Sequence, residues 1–310
     1  MTDPLHRPAA DRDTLVARAR ILDAVRAFFR QRGVLEVETP QLARAVAPEP
    51  HIDPLPCRDG FLLSSPEPFL KRLLAAGSGP VFQLGKVFRA GEVGRLHNPE
   101  FTLLEWYRPG WSLAALMDEV AELVQAIAPR PPAAMMTYRE LFRRHAGVDP
   151  FDAPLDRLAA AAPSPPPIGL DRDGLLDWLL VERIEPALMA AGGLLFVTAY
   201  PASRAAMACI DPGPPPVAQR FELYLDGVEL ANGYQELTDA AEQRRRLEQA
   251  NAHRRAQGLA PLPIDGFFLE ALAAGLPPCA GVALGVDRLV MAALGKGRLA
   301  EVLAFPWERT

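Results

Sequence analysis

The sequence predicts an α+β fold in which an antiparallel sheet is flanked by helices. Val81–Phe88 and Phe101–Tyr107 alternate apolar and polar residues and are rich in aromatic strand formers, so they read as two strands joined by a polar loop. Arg220–Leu237 returns to strand character around Asp226-Gly227, a hairpin turn signal. The strands therefore pair as hairpins with their neighbours, not as alternating βα units.

Composition bounds the reading. The 310 residues could make one large domain or two small ones, and 49% hydrophobic with 23% charged residues suits a packed core. The 32 prolines cluster in connections such as 128–134 and 162–168, so they mark loops. A net charge of −5 gives no bulk attraction to a phosphate backbone, which disfavours a general nucleic-acid binder. Cys57, Cys209 and Cys279 lack metal-ligand spacing and read as free thiols in a reducing compartment. The first ten residues hold no apolar signal core, and no stretch is long enough to span a bilayer. A cytoplasmic protein is expected.

In chain order, Asp13 or Thr14 can cap a helix to about Arg32, which Gly33 ends. Val34–Pro40 alternates as a strand ending at proline. Phe61–Glu67 is a short strand and turn, and Pro66 opens a helix through Leu74 with Glu67 in its first turn. Helices are predicted over 111–127, 138–145 and 171–189, with a short apolar strand at 194–198 between them and the second hairpin. That middle third reads as scaffold. Asp239–Gln257 is a charged helix, and Gly281–Gly285 precedes a helix from Leu289 onward.

The loop between the first two strands is unusually charged for a turn and carries Glu92, Arg95, His97 and Asn98. Arg89 precedes it, and His-Asn-Pro-Glu-Phe-Thr-Leu-Leu-Glu-Trp-Tyr follows from His97 to Tyr107. This segment resembles motif 2 of the class II aminoacyl-tRNA synthetases, in the lysyl branch. The first helix, glycine and Glu-Thr-Pro strand resemble motif 1, which in that family lies at a dimer interface. Gly281-Val-Ala-Leu-Gly-Val-Asp-Arg-Leu-Val-Met resembles motif 3. Three motifs in order, over roughly residues 12 to 305, imply a class II synthetase catalytic domain across 1–310.

The resemblance also implies roles. Arg89 and Arg288 are the expected catalytic arginines, neutralising charge on ATP. Ala90, Gly91, Glu92, His97, Asn98, Glu229, Leu230 and Gly285 complete an expected ATP site. Glu229-Leu-Ala-Asn-Gly-Tyr-Gln-Glu236 is similar to the segment that holds magnesium, with Glu229 and Glu236 as carboxylate ligands of a hard cation. An irregularity at Asn232-Gly233 would change how these side chains face. Ser65, Pro66 and Glu67 resemble the amino-group-binding segment. Glu105 and Tyr107 are similar to the pair that grips a lysine ammonium, with Asn232, Glu236 and Ala283 also lining the substrate pocket.

Two departures from lysyl-tRNA synthetases refine the expectation. Only about a dozen residues precede the first helix, too few for an anticodon-binding barrel, and Ala283 stands where a third motif 3 glycine is usual. Both are similar to the elongation factor P lysine ligase family, lysyl-tRNA synthetase paralogues. That family transfers (R)-β-lysine to a lysine ε-amine of elongation factor P. The methyl of Ala283 would crowd an α-amine and favour an amine one carbon further along. A third departure is Gly91, which stands where motif 2 usually has glutamate, so either Glu92 or backbone alone meets the adenine. A truncated lysine–tRNA ligase and a non-catalytic nucleotide or amino-acid sensor are the alternatives. The second predicts loss of the charged residues, and Arg89, Glu229, Glu236 and Arg288 are all present.

Overall fold

The computed structural model describes residues 6–49 and 52–310. They divide into two compact units, Met1–Pro129 with Leu237–Thr310, and Arg130–Glu236.

The first unit opens with α1 (Arg12–Gln31). Its N-cap is Asp11, not Asp13 or Thr14, because the Asp11 carboxylate accepts the Thr14 N–H at 2.7 Å. Gly33 leaves the helix at φ +66°, as expected of a left-handed exit. The strand predicted over 34–40 shrinks to β1 (Leu35–Glu36). There follow β2 (Leu42–Ala43), β3 (Leu55–Cys57) and β4 (Gly60–Leu62), which form a small sheet with β4 central. Next come α2 (Glu67–Ala75), β5 (Val81–Phe88), β6 (Glu100–Pro109) and α3 (Leu113–Ile127). The β5–β6 hairpin is antiparallel, with Gln83 opposite Glu105 and Val81 opposite Tyr107. At its edge β1 runs parallel to β5, a departure from an all-antiparallel sheet.

The second unit holds β7 (Ala134–Thr137), α4 (Tyr138–His145), α5 (Leu155–Ala161), α6 (Arg172–Leu179) and α7 (Glu185–Ala191). The single helix predicted over 171–189 is α6 and α7 joined by a π turn at Leu180–Ile184. Pro186, without an N–H, cannot complete the regular ladder at that point. Then come β8 (Leu194–Pro201), β9 (Ile210–Asp211), β10 (Val217–Leu225) and β11 (Val228–Gln235). Asp226 and Gly227 both take positive φ, +50° and +77°, so the predicted turn forms with the twist a two-residue hairpin needs. β10 pairs antiparallel with β8, β9 and β11, while β7 lies parallel to β8. Tyr138, Phe142, Leu176, Val197, Tyr200 and Tyr224 pack in this unit's core.

The chain returns to the first unit with α8 (Ala240–Ala256), α9 (Gly266–Gly275), β12 (Cys279–Gly285) and α10 (Val286–Ala293). β12 adds antiparallel to the free side of β6. One face of this sheet is covered by α1 and α3. Phe29 stacks on Phe82 at 4.6 Å and meets Trp106 edge-on at 5.1 Å. Beneath them Glu119 of α3 accepts from Trp106 Nε1 at 3.0 Å and pairs with the buried Arg108 guanidinium. Glu105 and Tyr107 project from the opposite face, because side chains alternate along β6.

Candidate active site

In the first unit, three strands place a row of chemistry on the sheet face away from α1. The register sets Gln83, Glu105 and Ala283 side by side, with Val81, Tyr107 and Gly281 in the next row. On that face β12 continues from Cys279 with Gly281, Ala283 and Gly285, so beside Glu105 and Tyr107 it stands low against the long side chains of β6. Glu105 is 2% exposed. Its Oε2 accepts from Ser65 Oγ and its Oε1 from the Tyr107 hydroxyl, each at 2.7 Å. Ser65 Oγ also accepts the backbone N–H of Glu67 at 2.9 Å. Burial pushes Glu105 up to about 8, and the nearby Glu67 carboxylate adds to the rise, against the two hydroxyl donors and Lys71. Such a group wants a cation. A substrate ammonium would supply the missing charge.

Glu67 stands at the start of α2, whose N-cap is the buried Pro66. The reading from sequence assigned it to a substrate amine alone. In the structure its Oε1 already meets the ammonium of Lys71, one helical turn on, at 2.5 Å. Lys71 is 1% exposed. The pocket thus holds two carboxylates and one internal ammonium.

The loop after β5 folds on itself. Gly94 and His97 exchange backbone hydrogen bonds, and Arg95 O accepts from Leu299 N at 2.9 Å. The Arg288 guanidinium donates to the Leu96 carbonyl at 3.3 Å and to His97 Nε2 at 2.8 Å. Burial lowers the His97 pKa, and the Arg288 charge lowers it further, so the imidazole stays neutral and accepts. Arg89 lies 3.6 Å from Glu92 and 5.0 Å from the Phe101 ring centroid, and its buried Nε has no hydrogen-bond partner in the protein. An anion is the natural complement of that donor. Gly91 takes φ +76°, a conformation that costs glutamate more than glycine, and the chain reversal leaves Glu92 beside Arg89. Ala90 N donates to Asp53 O at 2.8 Å, which anchors the start of the loop.

Asn98 has a task the sequence reading did not assign. Its Nδ2 donates to Glu100 O at 2.7 Å and its Oδ1 accepts from Trp307 N at 2.8 Å. Both ends of the amide hold backbone, so it braces the loop.

The second unit gathers a separate polar face on β10 and β11. The irregularity lies not at Asn232-Gly233 but earlier. Glu229 pairs with Tyr224, Ala231 pairs with Leu223, and Leu230 is the extra residue. This bulge brings Glu229 to the same face as Asn232 and Tyr234, opposite Tyr224, Glu222 and Arg220. Glu236, just past the strand, continues that alternation and is buried. The Leu230 side chain is also buried, which leaves its backbone for any ligand. Arg220 donates to Asn232 Oδ1 at 3.1 Å, to Glu222 at 2.5 Å and to Arg204 O at 2.7 Å. Among the described residues, no three His, Cys, Asp or Glu side chains gather into a metal cage. Two carboxylates on one face still fit a hard cation whose other ligands are phosphate oxygens and water.

Comparison with known proteins decides the family. The family model for tRNA synthetases class II (D, K and N) matches residues 5–309. The chain belongs to that family. It is also 46% identical, over 98% of its own length and 98% of theirs, to the elongation factor P–(R)-β-lysine ligases of Salmonella arizonae, Salmonella paratyphi A and Salmonella heidelberg. A class II synthetase ligates with ATP.

Three residues of this synthetase were missed in the sequence. Lys71 was readable only as the fourth residue after Glu67, a spacing common on any helix. Asp287, beside Arg288, pairs with Arg18 of α1 at 2.5 Å and accepts the Thr102 N–H at 2.9 Å, so it locks α10 to β6. Arg220 carried no motif signal at all.

Proposed function

We propose that this ligase activates (R)-β-lysine, or lysine, as an aminoacyl adenylate and transfers it to the ε-amine of a lysine on elongation factor P. The observation that carries the reading is the buried Glu105, held by Ser65 and Tyr107. It is a cation-seeking site in a chain nearly half identical, end to end, to ligases named for that reaction.

In this reading the amino-acid carboxylate attacks the α-phosphorus of ATP and pyrophosphate leaves. Two anions must meet, so Arg89 and Arg288 neutralise charge that grows during the attack. His97, neutral and bonded to Arg288, keeps that guanidinium aimed. Glu229 and Glu236 would hold magnesium, which when bound screens the phosphates. Glu105 and Tyr107 receive the side-chain ammonium, Glu67 the second amine, and Ala283 sets the space near it. The acceptor ε-amine then attacks the adenylate carbonyl, forming an amide and releasing AMP. No enzyme nucleophile is needed. A cytoplasmic homodimer completes the proposal. No helix among the described residues is long and apolar enough to cross a membrane.

The test is intact-mass spectrometry of elongation factor P and of tRNA after incubation with the enzyme, ATP, magnesium and either amino acid. A lysyl-sized gain on the protein, larger with (R)-β-lysine, is expected. Charging of tRNA with no change in the protein would overturn the proposed acceptor.

A further inference from the structure

Lys71 is the one buried cation in the Glu67–Glu105 cluster, and the proposed reaction assigns it nothing. Buried lysines are rare because the ammonium loses its water, so one held at 1% exposure calls for a reason. It lies on α2, one turn past Glu67, with its Nζ 2.5 Å from Glu67 Oε1 and 6.0 Å from the Phe268 ring centroid of α9. Its neighbourhood continues to Glu105, through Ser65. That hydroxyl takes the Glu67 N–H and gives its own proton to Glu105 Oε2.

We infer that Lys71 is a positioning and specificity residue for the amino acid: an internal ammonium that occupies one oxygen of Glu67, fixes that carboxylate, and leaves the pocket one net negative charge when Glu105 is ionised. The inference rests on the assignment of this pocket to the amino-acid substrate. Without Lys71, Glu67 and Glu105 would be two carboxylates facing one another with no fixed counter-charge. Like charges at close quarters cannot both stay ionised, so one would take up a proton and stop gripping an ammonium. With Lys71 in place, Glu67 is compensated before substrate arrives, and its second oxygen is held for an incoming amine. The groups that face Glu105 in this unit are Glu67 and Lys71 of α2, Ser65 before it, and Tyr107 of β6. Of these, Lys71 alone is positive.

The experiment is ATP–pyrophosphate exchange with (R)-β-lysine and lysine, measured from pH 6 to 9 on the full chain. It compares wild type, Lys71→Met, Lys71→Arg and the double variant Glu67→Gln/Lys71→Met. Lys71→Met is expected to raise the amino-acid KM roughly ten-fold or more, the scale of one lost charge-assisted contact, with the KM for ATP little changed. The midpoint of its pH profile should move upward, because the charge that favours ionised Glu105 is gone. Lys71→Arg should recover part of both effects. The double variant, which removes the Glu67–Lys71 ion pair as a whole and leaves neither partner stranded, covers the case in which Lys71→Met does not fold. It removes both the carboxylate that raises Glu105 and the weaker ammonium that lowers it, so its midpoint should fall below wild type. An unchanged amino-acid KM and midpoint in Lys71→Met, equal increases in both KM values, or a wild-type midpoint in the double variant would each overturn the inference. Absence of exchange by wild type with either amino acid would instead overturn the pocket assignment, and this inference with it.

Discussion

Asp287 and Thr102, 185 residues apart in the chain, meet through a 2.9 Å hydrogen bond from the Thr102 backbone N–H to Asp287 Oδ2. The other carboxylate oxygen takes Arg18 at 2.5 Å, and Arg18 also donates to Thr102 Oγ1 at 2.8 Å. One buried carboxylate thus joins α1, β6 and α10, and the next residue along α10 is Arg288. Asp287→Ala would strand a largely buried guanidinium and a backbone donor. It should lower stability by about 3 kcal/mol, the low end for a broken buried pair because Arg18 keeps some water contact. Denaturant unfolding would measure this. A loss under about 1 kcal/mol would show that the three elements are held elsewhere.

Glu105 makes stability and binding depend on pH in opposite directions. Its pKa is raised from 4.5 to about 8 in the fold, chiefly by burial and then by Glu67. Between those values the folded chain binds one proton more than the unfolded chain, so this contribution to stability is fully present below about pH 4.5 and is lost as pH rises through about 8. The substrate ammonium needs the ionised form. Amino-acid affinity should therefore improve from pH 6 to 8.5, while the free enzyme loses thermal stability relative to Glu105→Gln over the same range. The same variant should weaken amino-acid activation far more than ATP binding. Equal loss of both in a folded Glu105→Gln protein would refute the pocket assignment.

How much of this was legible in the sequence follows from what each feature depends on. The hairpin of β5 and β6 showed itself because alternation over eight residues is a local signal, and Asp226-Gly227 because the turn needs positive φ. Motif spacing brought Glu105, Tyr107 and Ala283 into view, and the β-sheet register sets Ala283 opposite Glu105. The bulge at Leu230 was misplaced by two or three residues, since a bulge is decided by pairing with β10 and not by the residues of β11 alone. α9 went unread because Gly266–Gly275 is apolar nearly all round and shows no amphipathic stripe. Lys71 as a site residue, and the bracing role of Asn98, were invisible for a further reason. What matters about each is its partner, and the partners are set by packing and loop closure.

His97 gives the ATP site an acid limit. Its pKa is lowered from 6.5, first by burial and then by the Arg288 charge, so the neutral imidazole and its contact with Arg288 are fully present above about pH 6.5. They are lost as pH falls through the lowered value, when two cations would face one another. The KM for ATP should rise on acidification below that point in wild type, while His97→Gln, which cannot gain a proton, should show a flatter profile. Exchange kinetics at saturating amino acid would read this. An identical acid limb in both proteins would place the titrating group elsewhere.

Ala283 carries the last prediction. It lies directly opposite Glu105 across the pairing of β12 with β6, flanked on that strand face by Gly281 and Gly285, with Cys279 beyond Gly281 at the far end. Its methyl is therefore the single projection from β12 beside the carboxylate that receives the ammonium. Glycine at this position would lower that wall by one carbon and admit an amine on the α-carbon. A difference of one methyl in a packed site is worth about 1–3 kcal/mol, so Ala283→Gly should shift the ratio of kcat/KM for lysine over (R)-β-lysine upward by roughly ten-fold. Parallel exchange assays with the two amino acids measure the ratio directly. If it stayed at the wild-type value, the position of the amine would have to be read by Glu67 and its fixed partner Lys71, with Ala283 serving only to fill the sheet face.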